Sequence, residues 1–204
     1  MIVIIVLLLS LLIRSFKPSV SIAAAGNAKV YYNSSLSTGT TNAINNNLSS
    51  MGYYSVRSAN PSISTLKTAI QGNNKVIHVL SHGEAGITSC SDGYLYATNV
   101  SSTSARFIFL ETCYSDKAPS SGYSSARTLY HKGASCVLGF SSTITAGSAS
   151  NGCHYFALAL YQNAYTGLTI GTSASLAKTA LYSAYGSYYG CDSYFVYGST
   201  TTIN

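Results

Sequence analysis

A histidine and a cysteine stand in matching settings at two places in this chain. In VIHVLSHGE, residues 76–84, an apolar run broken only by His78 ends in a polar tip with His82 directly before Gly83. In RFIFLETCYSD, residues 106–116, a second apolar run ends in a polar tip that holds Cys113. A thiol is a weak nucleophile until it loses its proton, and a nearby imidazole assists that loss. His82 is therefore the candidate acid/base and Cys113 the candidate nucleophile. Gly83 permits close backbone approach to a substrate. Its N–H and that of Cys113 are candidate donors to a developing oxyanion.

Such a pair needs two adjacent strands that end on the same side. The sequence predicts that frame. Short strands are expected at 28–33, 53–58, 75–80, 106–111, 135–140 and 193–198. Between them fall helical patterns at 40–52, 60–72, 122–133, 149–165 and 172–186. The 60–72 segment has Asn60 as a cap, Pro61 in the first turn and Gly72 at its end. Asp92-Gly93, between two Tyr- and Thr-rich pieces, marks a hairpin. Strands alternating with helices imply an α/β fold, a three-layer α/β/α sandwich around a mostly parallel sheet. Ligand sites in such sheets lie beyond the carboxyl ends of the strands, where His82 and Cys113 fall. Neighbouring strands lie about 5 Å apart, so terminal side chains meet or flank a bound carbonyl.

VIHVLSHG followed by FIFLETCYSD resembles the caspase-like group of cysteine peptidases, clan CD, which includes metacaspases, gingipains and CHAT-domain proteins. GASCVLGFSSTI is similar to the strand that follows the Cys helix in CHAT-type members, and SYFVYGS to their late strand ending in Gly. The resemblance spans roughly residues 28–198, with its specific part in the two short motifs. It implies a caspase-hemoglobinase-like fold and a Cys-His endopeptidase with His82 as acid/base and Cys113 as nucleophile. Gly83 and Cys113 are implied as oxyanion donors. In metacaspases an acid two residues before the Cys receives a basic side chain. Glu111 has that offset here, which implies cleavage after Arg or Lys. Asp116, Asp192 and Glu84 are further candidates for an acidic substrate pocket. No cofactor or calcium site is implied.

Other cysteine chemistry is legible too. A papain-type cell-wall peptidase places its Cys before its His, an order that Cys113 has with His131 or His154. In that type, however, the Cys opens a helix. A catalytically inactive exported binding or adhesion domain of the same fold is the non-enzymatic reading. His78 alternates with the core face and is expected to be a hydrogen-bonded core side chain. His131 suits a helix C-terminus. Cys153-His154 lacks a second ligand pair at zinc spacing.

Composition narrows the classes. Of the eleven Lys and Arg, Arg14 and Lys17 fall in the leading segment, and nine remain against five acids. No basic run or stripe argues for nucleic acid. Charged residues are only 8% of the chain, and polarity is carried by Ser, Thr, Asn, Gly and eighteen Tyr. IVIIVLLLSLLI is short for a membrane span, and AAAG at 23–26 offers small residues for a signal peptidase. Residues 1–25 thus read as an export signal, with an uncleaved membrane anchor as the alternative because no basic residue precedes the run. Residues 26–204 are expected to form one secreted or cell-surface domain acting on peptides or proteins. Five Cys is an odd count. With Cys113 free, Cys90, Cys136, Cys153 and Cys191 permit three pairings, among which spacing does not choose.

Overall fold

The computed structural model describes residues 25–36, 38–146 and 152–204. The apolar run of the expected export signal lies outside the described residues. No described helix is long and apolar enough to cross a membrane.

Six strands form the central sheet: β1 (Gly26–Tyr32), β2 (Tyr53–Ala59), β3 (Asn74–Leu80), β7 (Phe107–Glu111), β8 (Val137–Phe140) and β9 (Tyr194–Tyr197). Their order is β2-β1-β3-β7-β8-β9. All neighbours pair in parallel except β8 and the edge strand β9, which are antiparallel. A second, three-stranded antiparallel sheet joins β4 (Gly83–Glu84), β5 (Ile87–Cys90) and β6 (Gly93–Tyr96). The expected Asp-Gly turn connects β5 to β6, and the Asp92 carboxylate accepts from the Ile63 N–H at 2.7 Å.

Among the described residues, five α-helices cover the sheet: α1 (Thr38–Ser50), α2 (Ile63–Gln71), α3 (Ser125–His131), α4 (Gly152–Tyr165) and α5 (Ile170–Tyr185). The period-two alternation of the central strands divides the core in two. Val76, Phe107, Phe109 and Leu138 face α1, α4 and α5, where Ile44, Leu48, Phe156, Leu160 and Leu181 are buried. Ile77, Val79, Ile108 and Leu110 face the other way, against Leu66 and Ile70 of α2, Leu129 of α3 and Leu95 of β6. Burying each such side chain stabilises the fold by about 1.5–3 kcal/mol. This is the three-layer sandwich that the sequence predicts.

Two details differ from expectation. Helix α2 begins at Ile63, and Ser62, not Asn60, caps it by accepting from the Thr65 N–H at 3.1 Å. Asn60 instead adopts φ 47°, and its side chain bonds Ser34. Helix α3 is also shorter than the 122–133 pattern, because Ser124 caps it through the Arg127 N–H.

Candidate active site

The register of β3 on β7 sets the geometry. Val76 pairs with Phe107, and the ladder runs without a shift to Leu80 opposite Glu111. The Ser81 N–H carries the pairing one step further, to the Glu111 carbonyl at 3.3 Å. His82 and Cys113 each lie two residues beyond that last pair. They line one cavity of about 170 Å³, together with Leu36, Leu80, Glu111 and Ile144. His82 is exposed, and Cys113 is half-buried at the edge of the α4-side core.

Each tip is held by its own device. After His82 the chain turns into β4, and the His82 carbonyl accepts from Ser89 of the hairpin at 2.9 Å. Gly83 packs so closely on the other tip that a Cβ there would lie 2.9 Å from the Thr112 Cβ and 3.1 Å from the Ile87 carbonyl. Glycine is needed at this position for close approach between the two tips. Beyond Cys113, Tyr114 takes a left-handed conformation, φ 55°, which is uncommon for a side chain of its size. Its N–H donates to the Ser142 carbonyl at 3.0 Å. The buried Ser115 Oγ bonds the Leu110 and Thr112 carbonyls and accepts from the Phe140 N–H at 3.0 Å. The turn carrying Cys113 is thereby tied to β7 behind it and β8 beside it.

The thiol of Cys113 is bracketed by the backbone of Ile144. It lies 3.5 Å from both the Ile144 carbonyl, to which it donates, and the Ile144 N–H, from which it accepts. The Cys113 N–H has no backbone acceptor among the described residues. Burial separates Cys90, Cys136 and Cys153 from nucleophilic chemistry. It pushes Cys136 up to about 12 and raises Cys90, and it drives Cys153 well above its ordinary range. Such groups stay protonated near neutral pH.

The candidate pocket acids part company here. Glu111 reaches the cavity, but it is buried and paired. The alternation that turns Phe107 and Phe109 toward α4 turns Glu111 the same way. There His154 Nδ1 lies 2.9 Å from Oε1, and His78 Nε2 lies 3.1 Å from Oε2. The His154 contact is a directed hydrogen bond, whereas the His78 contact falls off the hydrogen-bond line. Burial by itself would raise the Glu111 carboxyl. The His154 hydrogen bond, the close His78 contact and the charge of both imidazoles outweigh it and hold the carboxyl below its ordinary value. An ionised carboxylate only accepts, so the ring nitrogens facing it carry protons. Tyr161 closes the chain, its hydroxyl 3.4 Å from His78 Nδ1. His78 is thus the core side chain that its alternation predicts, edge-on to Phe109 at 5.0 Å between ring centroids.

Asp116 and Asp192 do not line the cavity with His82 and Cys113. The Asp116 carboxylate accepts from Ser124 at 2.8 Å and Tyr197 at 2.9 Å, joining the Cys113 turn to the α3 cap and to β9. Asp192 is exposed on a short turn next to Ser193, whose hydroxyl bonds Ser142. Glu84 is exposed on β4. The papain-type arrangement is not formed. Cys113 follows a strand, and α3 opens only at Ser125. His131 stacks near Tyr123 on the surface, and His154 is fully buried against Glu111. The Ile144 bracket and the Glu111–His154 pair had no local signal. Both join residues more than thirty positions apart.

Comparison with solved structures places this arrangement among known folds. The Arg-specific cysteine proteinase gingipain R superposes with a TM-score of 0.71 at 15% identity, covering 88% of this chain and 47% of that one. The complex of the pro- and mature domains of Porphyromonas gingivalis RgpB gives 0.65 at 14% identity, covering 87% and 49%. Caspase-1 from Spodoptera frugiperda gives 0.50 at 16% identity, covering 86% and 87%. The chain spans about half the length of the gingipain structures that it matches. No family model and no curated protein sequence matches it. The fold is that of the caspase-like, clan CD cysteine peptidases, as the two strand-tip motifs imply.

Proposed function

We propose that the chain is an exported cysteine endopeptidase of the caspase-like type that uses Cys113 and His82. The observation that carries this reading is the unbroken β3–β7 register, which sets both side chains two residues past Leu80 and Glu111 at one cavity.

The cycle is acyl transfer. The Cys113 proton passes to His82, directly or through water, and the sulfur adds to the carbonyl carbon of the scissile bond. The resulting oxyanion takes hydrogen bonds from the N–H groups of Gly83 and Cys113. His82 gives a proton to the leaving amine as the C–N bond breaks, which leaves a thioester on Cys113. His82 then accepts a proton from water as the water adds to the thioester. Collapse breaks the C–S bond and releases the carboxylic acid, and His82 returns its proton to the Cys113 thiolate. The two side chains flank the substrate carbonyl, so the cycle does not require a direct His82–Cys113 hydrogen bond.

Preference for Arg or Lys before the scissile bond is assigned to Glu111 at the cavity wall, with Asp192 as a second acid on the turn beside Ser193. A substrate cation would share the Glu111 carboxylate with His154 and His78. The reading is tested with peptides bearing a fluorogenic leaving group after Arg, Lys, Asp or Ala. Hydrolysis by the native chain and its loss in Cys113→Ala support it, and activity that persists in the variant contradicts it. The second reading, an inactive binding domain of the same fold, rests on the Cys113 thiol being occupied by both backbone groups of Ile144. A folded chain that hydrolyses none of these peptides favours that reading.

A further inference from the structure

The segment that brackets the Cys113 thiol is itself held from two sides. Residues 143–146 form a strap past the nucleophile, with Ile144 on the sulfur. On one side the first turn of α4 docks on it. The Cys153 N–H donates to the Thr145 carbonyl at 2.9 Å, and the His154 N–H to the Ala146 carbonyl at 3.3 Å. On the other side the turn before β9 docks on it, through the Thr145 N–H and the Tyr189 carbonyl at 3.0 Å. Gly190, at φ +82°, lies so close that a Cβ there would sit 2.1 Å from the Thr143 carbonyl. Each docking segment carries one fully buried cysteine, Cys153 and Cys191. Both lie in the same buried cluster, on segments that bond the two backbone groups of a single residue, Thr145.

The remaining thiols are placed elsewhere. Cys136 precedes β8 at the opposite end of that strand from the Cys113 turn. Cys90 packs against the core on the other face of the sheet. Of the three pairings open to the four non-nucleophilic cysteines, the one containing Cys153 and Cys191 joins two segments docked on the same strap.

We propose that Cys153 and Cys191 form a disulfide that locks α4 to the turn before β9 and clamps the strap over Cys113, leaving Cys113 as the reactive thiol. The oxidant is a low-molecular-weight disulfide such as glutathione disulfide, or a protein dithiol oxidase of the same chemistry. One cysteine thiolate displaces a thiolate from the oxidant to give a mixed disulfide. The second cysteine, losing its proton, displaces the other half. Two electrons leave the protein, and one oxidant disulfide becomes two thiols. Because both sulfurs are buried in the finished fold, the bond forms while the chain is folding. The link closes a loop of roughly 38 residues, for which a rise of about 10 °C in Tm is expected.

The test is refolding of the full chain, reduced and denatured, in a glutathione/glutathione-disulfide buffer and in parallel with glutathione alone. Free thiols are then alkylated under denaturing conditions, and the peptides are mapped by mass spectrometry. The expected result is a Cys153–Cys191 cross-link, with Cys90, Cys113 and Cys136 alkylated, and a higher Tm only in the oxidised sample. In Cys191→Ser the oxidation-dependent rise in Tm is expected to vanish. Cys153 and Cys191 both recovered as alkylated thiols, or either one linked to Cys113, Cys90 or Cys136, would overturn the proposal. The readouts are bond mapping and melting, so the outcome is independent of whether the chain hydrolyses peptides.

Discussion

Leu80 stands directly across from Glu111 in the parallel pair of β3 and β7, and His82 and Cys113 are each two residues further on. Equal offsets from one ladder rung leave the relative height of the two side chains to the sheet rather than to loop packing. Strand pairing of this kind is rigid, and precise sites are best supported by such elements. The first prediction follows from that rung. Cys113→Ala removes the sulfur without disturbing β7 and should abolish peptide hydrolysis. His82→Ala should reduce kcat by about 100-fold or more. Neither change should lower Tm by more than about 3 °C, since His82 is exposed and Cys113 half-buried. Turnover and thermal melts on the same preparations check both halves.

Gly83 gives a steric prediction. A methyl group at that position meets Thr112 at 2.9 Å, so the His82 tip must move away from the Cys113 tip. Gly83→Ala is expected to cost about 1–3 kcal/mol of stability and at least tenfold in kcat/KM. Gly83→Ala combined with Thr112→Gly, which removes both the Cβ and the Oγ1 that the new methyl would meet, should recover part of the lost kcat/KM. Absence of any recovery would mean that Gly83 acts through something other than this contact.

Ser115 ties the Cys113 turn to two strands. Ser115→Ala leaves the buried Phe140 N–H without its acceptor, at a cost of about 1–3 kcal/mol. The turn geometry should loosen with it, so alkylation of Cys113 by iodoacetamide should change in rate while its stoichiometry stays the same. Chemical denaturation and timed labelling measure the two effects separately.

Glu111 yields a prediction in pH. Its carboxyl is held below the ordinary value of 4.5 in the folded chain, where His154 and His78 outweigh the burial that would raise it. A depressed folded-state value contributes stability that is fully present above the unfolded value and is lost as pH falls through the folded one. Glu111→Gln removes that contribution and leaves two buried imidazoles without their anion. It should destabilise the chain by about 3 kcal/mol or more at pH 7, with the gap to the native chain closing as pH falls below the unfolded value of 4.5 and through the lower folded one. Melting curves from pH 3 to 7 test the sign. If Glu111 also receives substrate cations, the ratio of kcat/KM for Arg over Ala peptides should fall in the same variant. An unchanged ratio would leave Glu111 with the structural role alone.

The sandwich was legible because the central strands are continuous apolar runs, the helices carry apolar stripes, and Gly or Ser residues bound them. The two strand tips were legible because His82-Gly83 and Cys113 break apolar runs at their carboxyl ends. The partners of Glu111 were hidden. His78 sits inside a strand as a lone polar residue, and His154 lies on a helix forty-three positions away, so only packing of α4 on the sheet unites them. The cap of α2 was misplaced because Asn60 and Ser62 are both good cap residues. Tertiary contact decided, with Asn60 drawn into a turn against Ser34. In sequence, Asp116 was a further candidate beside Glu111 for an acidic substrate pocket. In space, Asp116 is taken by Ser124 and Tyr197.

The central claim is that the β3–β7 register makes Cys113 an activated nucleophile under the influence of His82. The most direct measurement is timed iodoacetamide labelling of the native chain at neutral pH, resolved by peptide mass spectrometry, beside the same experiment on His82→Ala. The account predicts that Cys113 reacts ahead of every other cysteine and at least tenfold slower once His82 is removed. Labelling of Cys113 at the rate of an ordinary free thiol, unchanged in His82→Ala, would contradict it.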